Sequence, residues 1–282
     1  MSLSLCVLAS GSSGNCSVIR APGGVMLIDC GIGPRTAAGR LKGTGVHVND
    51  IAAICLTHLD RDHFNLNWVD TVIRNQVRVF CAADRADDLR RFVDDEDFAQ
   101  RIEPFNGDVF EPLPGVSVSS QPLAHDQTGS HAFVVEADGA RMGYATDLGR
   151  VPAELIERFC GVDLLAIESN YDPQMQQTSG RPRFLQQRIM GGRGHLSNDQ
   201  ALAAVRAVLD RCQRHAHRLP RHIVLLHRSR QCNCPDLVRG LFSRDGRIAS
   251  RLVLSEQFFR TPWLSAEPVR QWMGEQLSLS FA

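Results

Sequence analysis

Four short apolar runs in this chain each stop at or just before a histidine or an aspartate. Ile51–Leu56 runs into "THLDRDH", Val116–Gln121 leads through "PLAH" to His125, Arg141–Thr146 ends at Asp147, and His222–Leu226 ends at His227. Runs of this length, rich in Val, Ile and Leu and bounded by turn residues, read as strands. The constraint is strong because α/β folds gather the carboxyl ends of their strands along one edge of a sheet. Ligand-type residues far apart in sequence are therefore expected to meet.

Further strands are expected at Leu3–Ala9, Ser17–Arg20, Val25–Asp29, Val77–Cys81, Ala132–Ala137 and Asp163–Ile167. Apolar residues recurring every three to four positions predict helices over Pro34–Lys42, Asn65–Arg74, Ala83–Phe92, Pro152–Phe159, Arg183–Met190 and Pro235–Phe242. Ser197 opens another, Ala201–Cys212, with Asn198, Asp199 and Gln200 as cap-friendly side chains. A β-rich half passes into an α/β half with no linker, so one layered α/β domain over residues 1–282 is expected.

The chain has 282 residues, 43% of them hydrophobic, ample for a large core. No apolar run approaches the roughly 20 residues that cross a bilayer. The start, "MSLSLCVLASGSSGNC", has no basic leader and reads as a first strand, not a signal peptide. Its Gly- and Ser-rich loop, residues 10–17, lacks the lysine of a P-loop and reads as a tight hairpin. The cysteines number nine, odd and irregularly spaced, which fits free thiols in a reducing cytoplasm.

Formal net charge is zero but uneven. Asp84–Glu111 holds ten acids against four arginines, and Arg181–Arg230 holds eleven arginines against two acids. Solvated helix faces explain both. The other reading of the arginines is a polyanion-facing side, since a planar guanidinium grips two phosphate oxygens at once.

His58, Asp60, Asp62 and His63 crowd into one turn. Imidazole nitrogens and carboxylates so placed can converge on cations about 3.5–4 Å apart, the spacing of two-metal hydrolases. A loop of helix caps and ion pairs is the alternative, weakened by the matching His125, Asp147 and His227 at other strand ends.

In this pattern the chain resembles the metallo-β-lactamase superfamily. "LASGSSGNCSVI", "LIDCG", "GYATDLG", "ESNYD", "GHLSN" and the "HRS…CN" stretch are similar to its YycJ (WalJ)-type branch of metal-dependent exonucleases. The resemblance implies an αβ/βα four-layer sandwich with two mixed β-sheets. It implies that His58, Asp60 and His125 hold one divalent metal ion, that Asp62, His63 and His227 hold a second, and that Asp147 bridges them. A metal-bound hydroxide would attack phosphorus in line. Asp62, Asp147 and His195 are the expected catalytic residues, His195 as proton donor to the leaving group. Asp29 is expected to orient the turn. Glu168 and Asn170 would line the cleft, and Ser197 would start a helix whose backbone N–H groups dock a phosphate. Arg181–Arg193, with Gly191 and Gly192, would flap over the site.

Asp60 departs from the family, which usually has histidine there. It could ligate directly, ligate through water, or leave the first site weak. An anionic oxygen in place of a neutral nitrogen makes the centre less positive and tilts preference from Zn2+ toward Mn2+ or Fe. The expected function is a metal-dependent phosphodiester hydrolase, a nuclease of the single-stranded DNA exonuclease type, without a membrane partner. Hydrolysis of a small phosphodiester or thioester is the alternative, as is a non-catalytic homologue with a degraded metal site.

Overall fold

The structure is a computed structural model that describes residues 2–107 and 109–266; Met1, Asp108 and the last part of the expected 1–282 domain lie outside the described residues. Its strands form two seven-stranded sheets. The first contains β1 (Ser4–Ala9), β2 (Cys16–Ala21), β3 (Gly24–Ile28), β4 (Ile51–Cys55), β5 (Arg78–Ala82), β6 (Ile102–Phe105) and β14 (Leu264–Ser265), in the order β14-β1-β2-β3-β4-β5-β6. The second contains β7 (Val109–Leu113), β8 (Val116–Leu123), β9 (Ser130–Ala137), β10 (Ala140–Ala145), β11 (Leu164–Glu168), β12 (His222–Leu226) and β13 (Leu252–Leu254), in the order β13-β12-β11-β10-β9-β8-β7. Each sheet is antiparallel along one half and parallel along the other. β3-β4-β5-β6 and β10-β11-β12-β13 are the parallel halves. Both sheets are therefore mixed, as expected.

Why strands such as β1 and β12 lack a polar face follows from what covers them. In β1, Leu5 and Val7 join the core between the sheets, while Cys6 and Leu8 join a second core under helices. β12 repeats this, with Val224 and Leu226 between the sheets and Ile223 and Leu225 under helices. A strand buried on both faces must be apolar at every position.

The helices α1 (Pro34–Leu41), α2 (Val69–Asn75), α3 (Ala86–Val93) and α4 (Glu96–Ala99) follow in the first half. They place Leu41, Val72, Leu89 and Phe98 on the outer face of the first sheet. α5 (Ala153–Arg158), α6 (Pro173–Gln177), α7 (Arg183–Met190), α8 (Asn198–Arg214), α9 (Pro235–Phe242) and α10 (Gly246–Ala249) occupy the second half. Leu155, Val205, Phe242 and Ile248 from α5, α8, α9 and α10 cover the second sheet. The layers run helix, sheet, sheet, helix.

Several elements differ from expectation. β6 and β7 lie inside the acidic stretch, where Pro104, Pro112 and the acids hide the strand pattern. β13 and β14 are too short to stand out. The expected helices Asn65–Arg74 and Ala83–Phe92 each open with a separate 3-10 turn, Leu66–Trp68 and Ala83–Arg85. Pro152 stands at the N-cap of α5, outside the helix. All nine cysteines are free, and eight are buried. No helix among the described residues is long and apolar enough to cross a membrane.

Candidate metal centre

The turn after β4 is locked by its own backbone. The N–H groups of His63 and Phe64 both donate to the Asp60 carbonyl, at 2.8 and 2.9 Å. Asn15 N–H donates to the Asp62 carbonyl at 2.6 Å, and Cys30 N–H to the His63 carbonyl at 2.8 Å. This approach requires glycine at position 31, because a Cβ there would sit 1.8 Å from the Asp62 carbonyl oxygen. The loop after β1 and the "LIDCG" turn thus clamp the ligand-rich turn from behind.

Three other site residues share an uncommon conformation. Asp29, Asp147 and His227, at or just past the ends of β3, β10 and β12, have φ of 58°, 51° and 50°. Left-handed backbone is costly for residues other than glycine, of order 1–2 kcal/mol each. At these strand ends it accompanies side chains brought into one cluster. Ser10 Oγ accepts from His227 N–H at 2.7 Å, and Ser130 Oγ donates to the Asp147 carbonyl at 2.6 Å.

The side chains converge. The His58 and His63 rings lie 3.9 Å apart centre to centre, and His58 and His125 lie 5.2 Å apart. His63 Nε2 is 3.0 Å from Asp147 Oδ2, and His227 Nδ1 is 2.9 Å from Asp147 Oδ1. Asp62 Oδ2 lies 3.7 Å from His63 Nε2 and 3.6 Å from His227 Nε2. Asp60 Oδ2 is 3.7 Å from His58 Nε2, with its side chain half exposed. Ligand atoms of His58, Asp60 and His125 all fall within 4.8 Å of one another, as do those of Asp62, His63 and His227, and those of His58, His63 and Asp147.

Asp29 sits behind the cluster. Its carboxylate accepts from Thr57 N–H at 2.8 Å, from the Thr57 hydroxyl and from His63 Nδ1 at 2.7 Å. Glu168 has a similar place on the other side. It is fully buried, takes His195 Nδ1 at 2.7 Å and His227 Nδ1 at 3.1 Å, and accepts from Leu148 and Leu196 N–H. Asn170 Nδ2 donates to the His227 carbonyl at 2.7 Å.

The carboxylates and imidazoles of the cluster shift one another's protonation. Burial opposes charge on His63, but Asp29 and Asp147 overcome it and hold the imidazolium well above its ordinary range. Burial likewise opposes charge on His227, and Asp147, Asp62 and Glu168 raise it well above that range. Asp147 is held well below the usual carboxylate range against its burial, by His227 and His63. Asp62 falls to about 2, again against burial, through its contact with His227. His58 goes the other way: burial and then the neighbouring His63 push it well below normal. One atom stays unsatisfied in this arrangement. His227 Nε2 is buried and has no hydrogen-bond partner. A cation held there together with Asp62 and His63 would give that nitrogen a partner, so the donor set fits divalent metal ions.

Above the cluster opens a cavity of about 380 Å³, lined by His195, His227, Asn170 and Arg181 among others. α7 forms one wall through Leu185, Arg188 and Ile189, the stretch expected as a flap. Arg188 Nε donates to Asp126 at 3.0 Å. Arg181 is held by amide oxygens, Gln231 Oε1 at 2.9 Å and Gln176 Oε1 at 3.2 Å, and has no acid within ion-pair distance among the described residues.

Ser197 starts a helix as expected, but the N–H groups there are not free. Its hydroxyl accepts from Gln200 N–H as the cap of α8, its own N–H donates to Gln200 Oε1, and Asn198 N–H donates to the Tyr171 carbonyl. The helix start satisfies itself, leaving these donors closed to a phosphate. Sequence reasoning missed Asn15, Thr57 and Ser10. Asn15 Nδ2 lies 2.9 Å from His63 Nε2 and 3.2 Å from Asp62 Oδ2. Its sole signal was its place in a Gly/Ser turn, which carries no chemistry by itself.

Comparison with known proteins agrees with the fold. Residues 25–225 match the model of the "Beta-lactamase superfamily domain". The chain is 25% identical over 241 residues to an exodeoxyribonuclease YycJ of Bacillus anthracis, covering 85% of this chain and 87% of that one. It is 24% identical over 237 residues to an exodeoxyribonuclease WalJ of Streptococcus pneumoniae, covering 82% and 83%. A crystal structure of the metallo-β-lactamase fold protein YhfI from Bacillus subtilis aligns with a TM-score of 0.63 at 12% identity, covering 92% of this chain and 99% of that one.

Proposed function

The chain belongs to the β-lactamase superfamily, and from that premise we propose that it is a nuclease that hydrolyses phosphodiester bonds in single-stranded DNA from an end. As a metal-dependent hydrolase it shares its sequence pattern with relatives named as exodeoxyribonucleases. The single observation that carries the reading is His227, a buried imidazole whose Nδ1 lies between two carboxylates and whose Nε2 stands 3.6 Å from Asp62 Oδ2 without a hydrogen bond.

In this reading His58, Asp60 and His125 would hold one cation and Asp62, His63 and His227 the other, with Asp147 contributing to both. Mn2+ or Fe is favoured over Zn2+ by the oxygen-rich set that Asp60 creates. Cations held there would supply Lewis acidity for phosphodiester hydrolysis near neutral pH. The protein does the rest. Asp29 fixes the His63 ring through Nδ1, leaving Nε2 to face the cluster. Glu168 accepts from His195 Nδ1 and raises its basicity against the effect of burial. In its protonated form His195, at the cavity wall, can pass its Nε2 proton to a leaving alkoxide. Arg181, held by neutral amides, offers its uncompensated charge to substrate phosphate. Free buried thiols support a cytoplasmic setting, and residues 1–282 are taken to work as one domain.

The test is degradation of end-labelled single- and double-stranded oligonucleotides with added Mn2+. Stepwise shortening of single strands from one end supports the reading. Turnover of a small model diester with every strand left intact would replace it with a small-molecule phosphodiesterase.

A further inference from the structure

The loop that follows His227 separates two cavities. Ser229 and Gln231 line the metal cleft, whereas Arg228 and Arg230 line a recess of about 250 Å³ on its other side. The second dividing wall is the loop after β1. Ser12 lines the cleft, while Gln257, a residue of the recess, accepts from Ser13 N–H and donates to the Gly14 carbonyl, both at 2.9 Å. From His227 to Arg230 is three residues, at most about 11 Å of chain. The recess therefore begins within a nucleotide or two of the cluster.

Its chemistry is specific. Arg228 is part-buried, its Nε has no partner, and its Nη2 makes a single long bond of 3.4 Å to the Ser255 carbonyl. The Arg230 guanidinium lies over the Phe258 ring, 4.7 Å from its centre. Phe258 is 52% exposed and Phe259, the next residue, 71%. Glu256 is the acid that lines the recess, yet neither arginine has an ion pair within 4 Å among the described residues. Two underpaired guanidiniums beside exposed aromatic rings match a polymer that alternates phosphates with flat bases. An aromatic face reaches such bases when they are unpaired.

We propose that this recess is the track that holds the single strand beyond the scissile bond, with a phosphate against Arg228 and Arg230 and a base stacked on Phe258. The assignment rests on the nuclease reading and extends it to a second binding site. It takes up the arginine excess of the last third of the chain at two named positions.

Fluorescence anisotropy on the full-length, metal-free protein tests it, with labelled oligo(dT) of about 12 nucleotides, a length within reach of one such surface. A strand of equal length lacking bases serves as control. Phe258→Ala is expected to weaken oligo(dT) binding by at least about fivefold and Phe258→Trp to restore it, because loss of one stacked base has roughly that effect. The base-free strand should bind Phe258→Ala and the unaltered protein alike. Arg230→Ala should lower the slope of log affinity against log salt by about one unit. Both positions are solvent-facing, so circular dichroism should show unchanged folding. Undiminished affinity in Phe258→Ala with an unchanged salt slope in Arg230→Ala overturns the track and leaves the nuclease reading standing. Displacement of oligo(dT) by polyglutamate at equal charge would assign the recess to acidic protein instead. No binding of any strand by the unaltered protein overturns both readings.

Discussion

Asp29 Oδ2 lies 2.7 Å from His63 Nδ1, and both side chains are fully buried. A carboxylate that accepts from a ligand's far nitrogen fixes its tautomer and orientation. Asp29→Asn keeps the shape but removes the charge that holds His63. Metal affinity is expected to fall about 10- to 100-fold, read by competition with a chelating dye. An unchanged affinity would show that Asp29 serves packing alone.

In the proposed centre, metal binding displaces protons from His63 and His227, both held well above their ordinary range. A histidine with a raised folded-state pKa stabilises the fold fully below about pH 6.5 and less as pH rises through the raised value. The metal-free protein should therefore lose thermal stability as pH climbs above neutral. The added stability from Mn2+ should grow over the same range, with proton release detectable in unbuffered solution. Metal affinity that is flat from about pH 6 to 9 would contradict this.

Asp60 stands half exposed, 3.7 Å from His58 Nε2. If its carboxylate is a ligand, Asp60→Ala should halve the bound metal, and Asp60→His should shift selectivity toward Zn2+. Full metal content in Asp60→Ala would remove Asp60 from the ligand set.

The Glu168–His195 pair predicts a dependence on leaving group. His195→Gln should slow release of a poor leaving group, such as a nucleoside alkoxide, by roughly 10²- to 10⁴-fold. A nitrophenolate ester, which leaves without a proton, should be far less affected. Equal losses on both substrates would mean that His195 shapes the cleft and does not supply a proton.

The fold was legible where burial on both faces left uninterrupted apolar runs, as at Leu3–Ala9 and His222–Leu226. β6 and β7 were not, because Glu103, Pro104, Glu111 and Pro112 break the pattern while cross-strand pairs such as Arg78–Glu103 hold the edge. The repeated architecture of the two sheets left no repeat in the residues, since many sets of apolar side chains satisfy the same pairing. The cluster of His58, Asp62, His63, His125, Asp147 and His227 followed from their places at strand ends. Asn15, Thr57 and Ser10 did not, because their contacts to His63, Asp29 and His227 exist only once distant loops are folded together. The helix start at Ser197 misled because the sequence does not show that Gln200 Oε1 and the Tyr171 carbonyl take its N–H groups.

The most direct measurement is the metal content of protein purified without chelator, for the native chain and for Asp147→Ala. About two equivalents of Mn or Fe are expected in the native protein and a marked loss in the variant, whose missing carboxylate faces both His63 and His227. Two equivalents of zinc would contradict the Mn or Fe leaning alone. A native protein that takes up no divalent ion even when it is supplied in excess would contradict the metal centre itself.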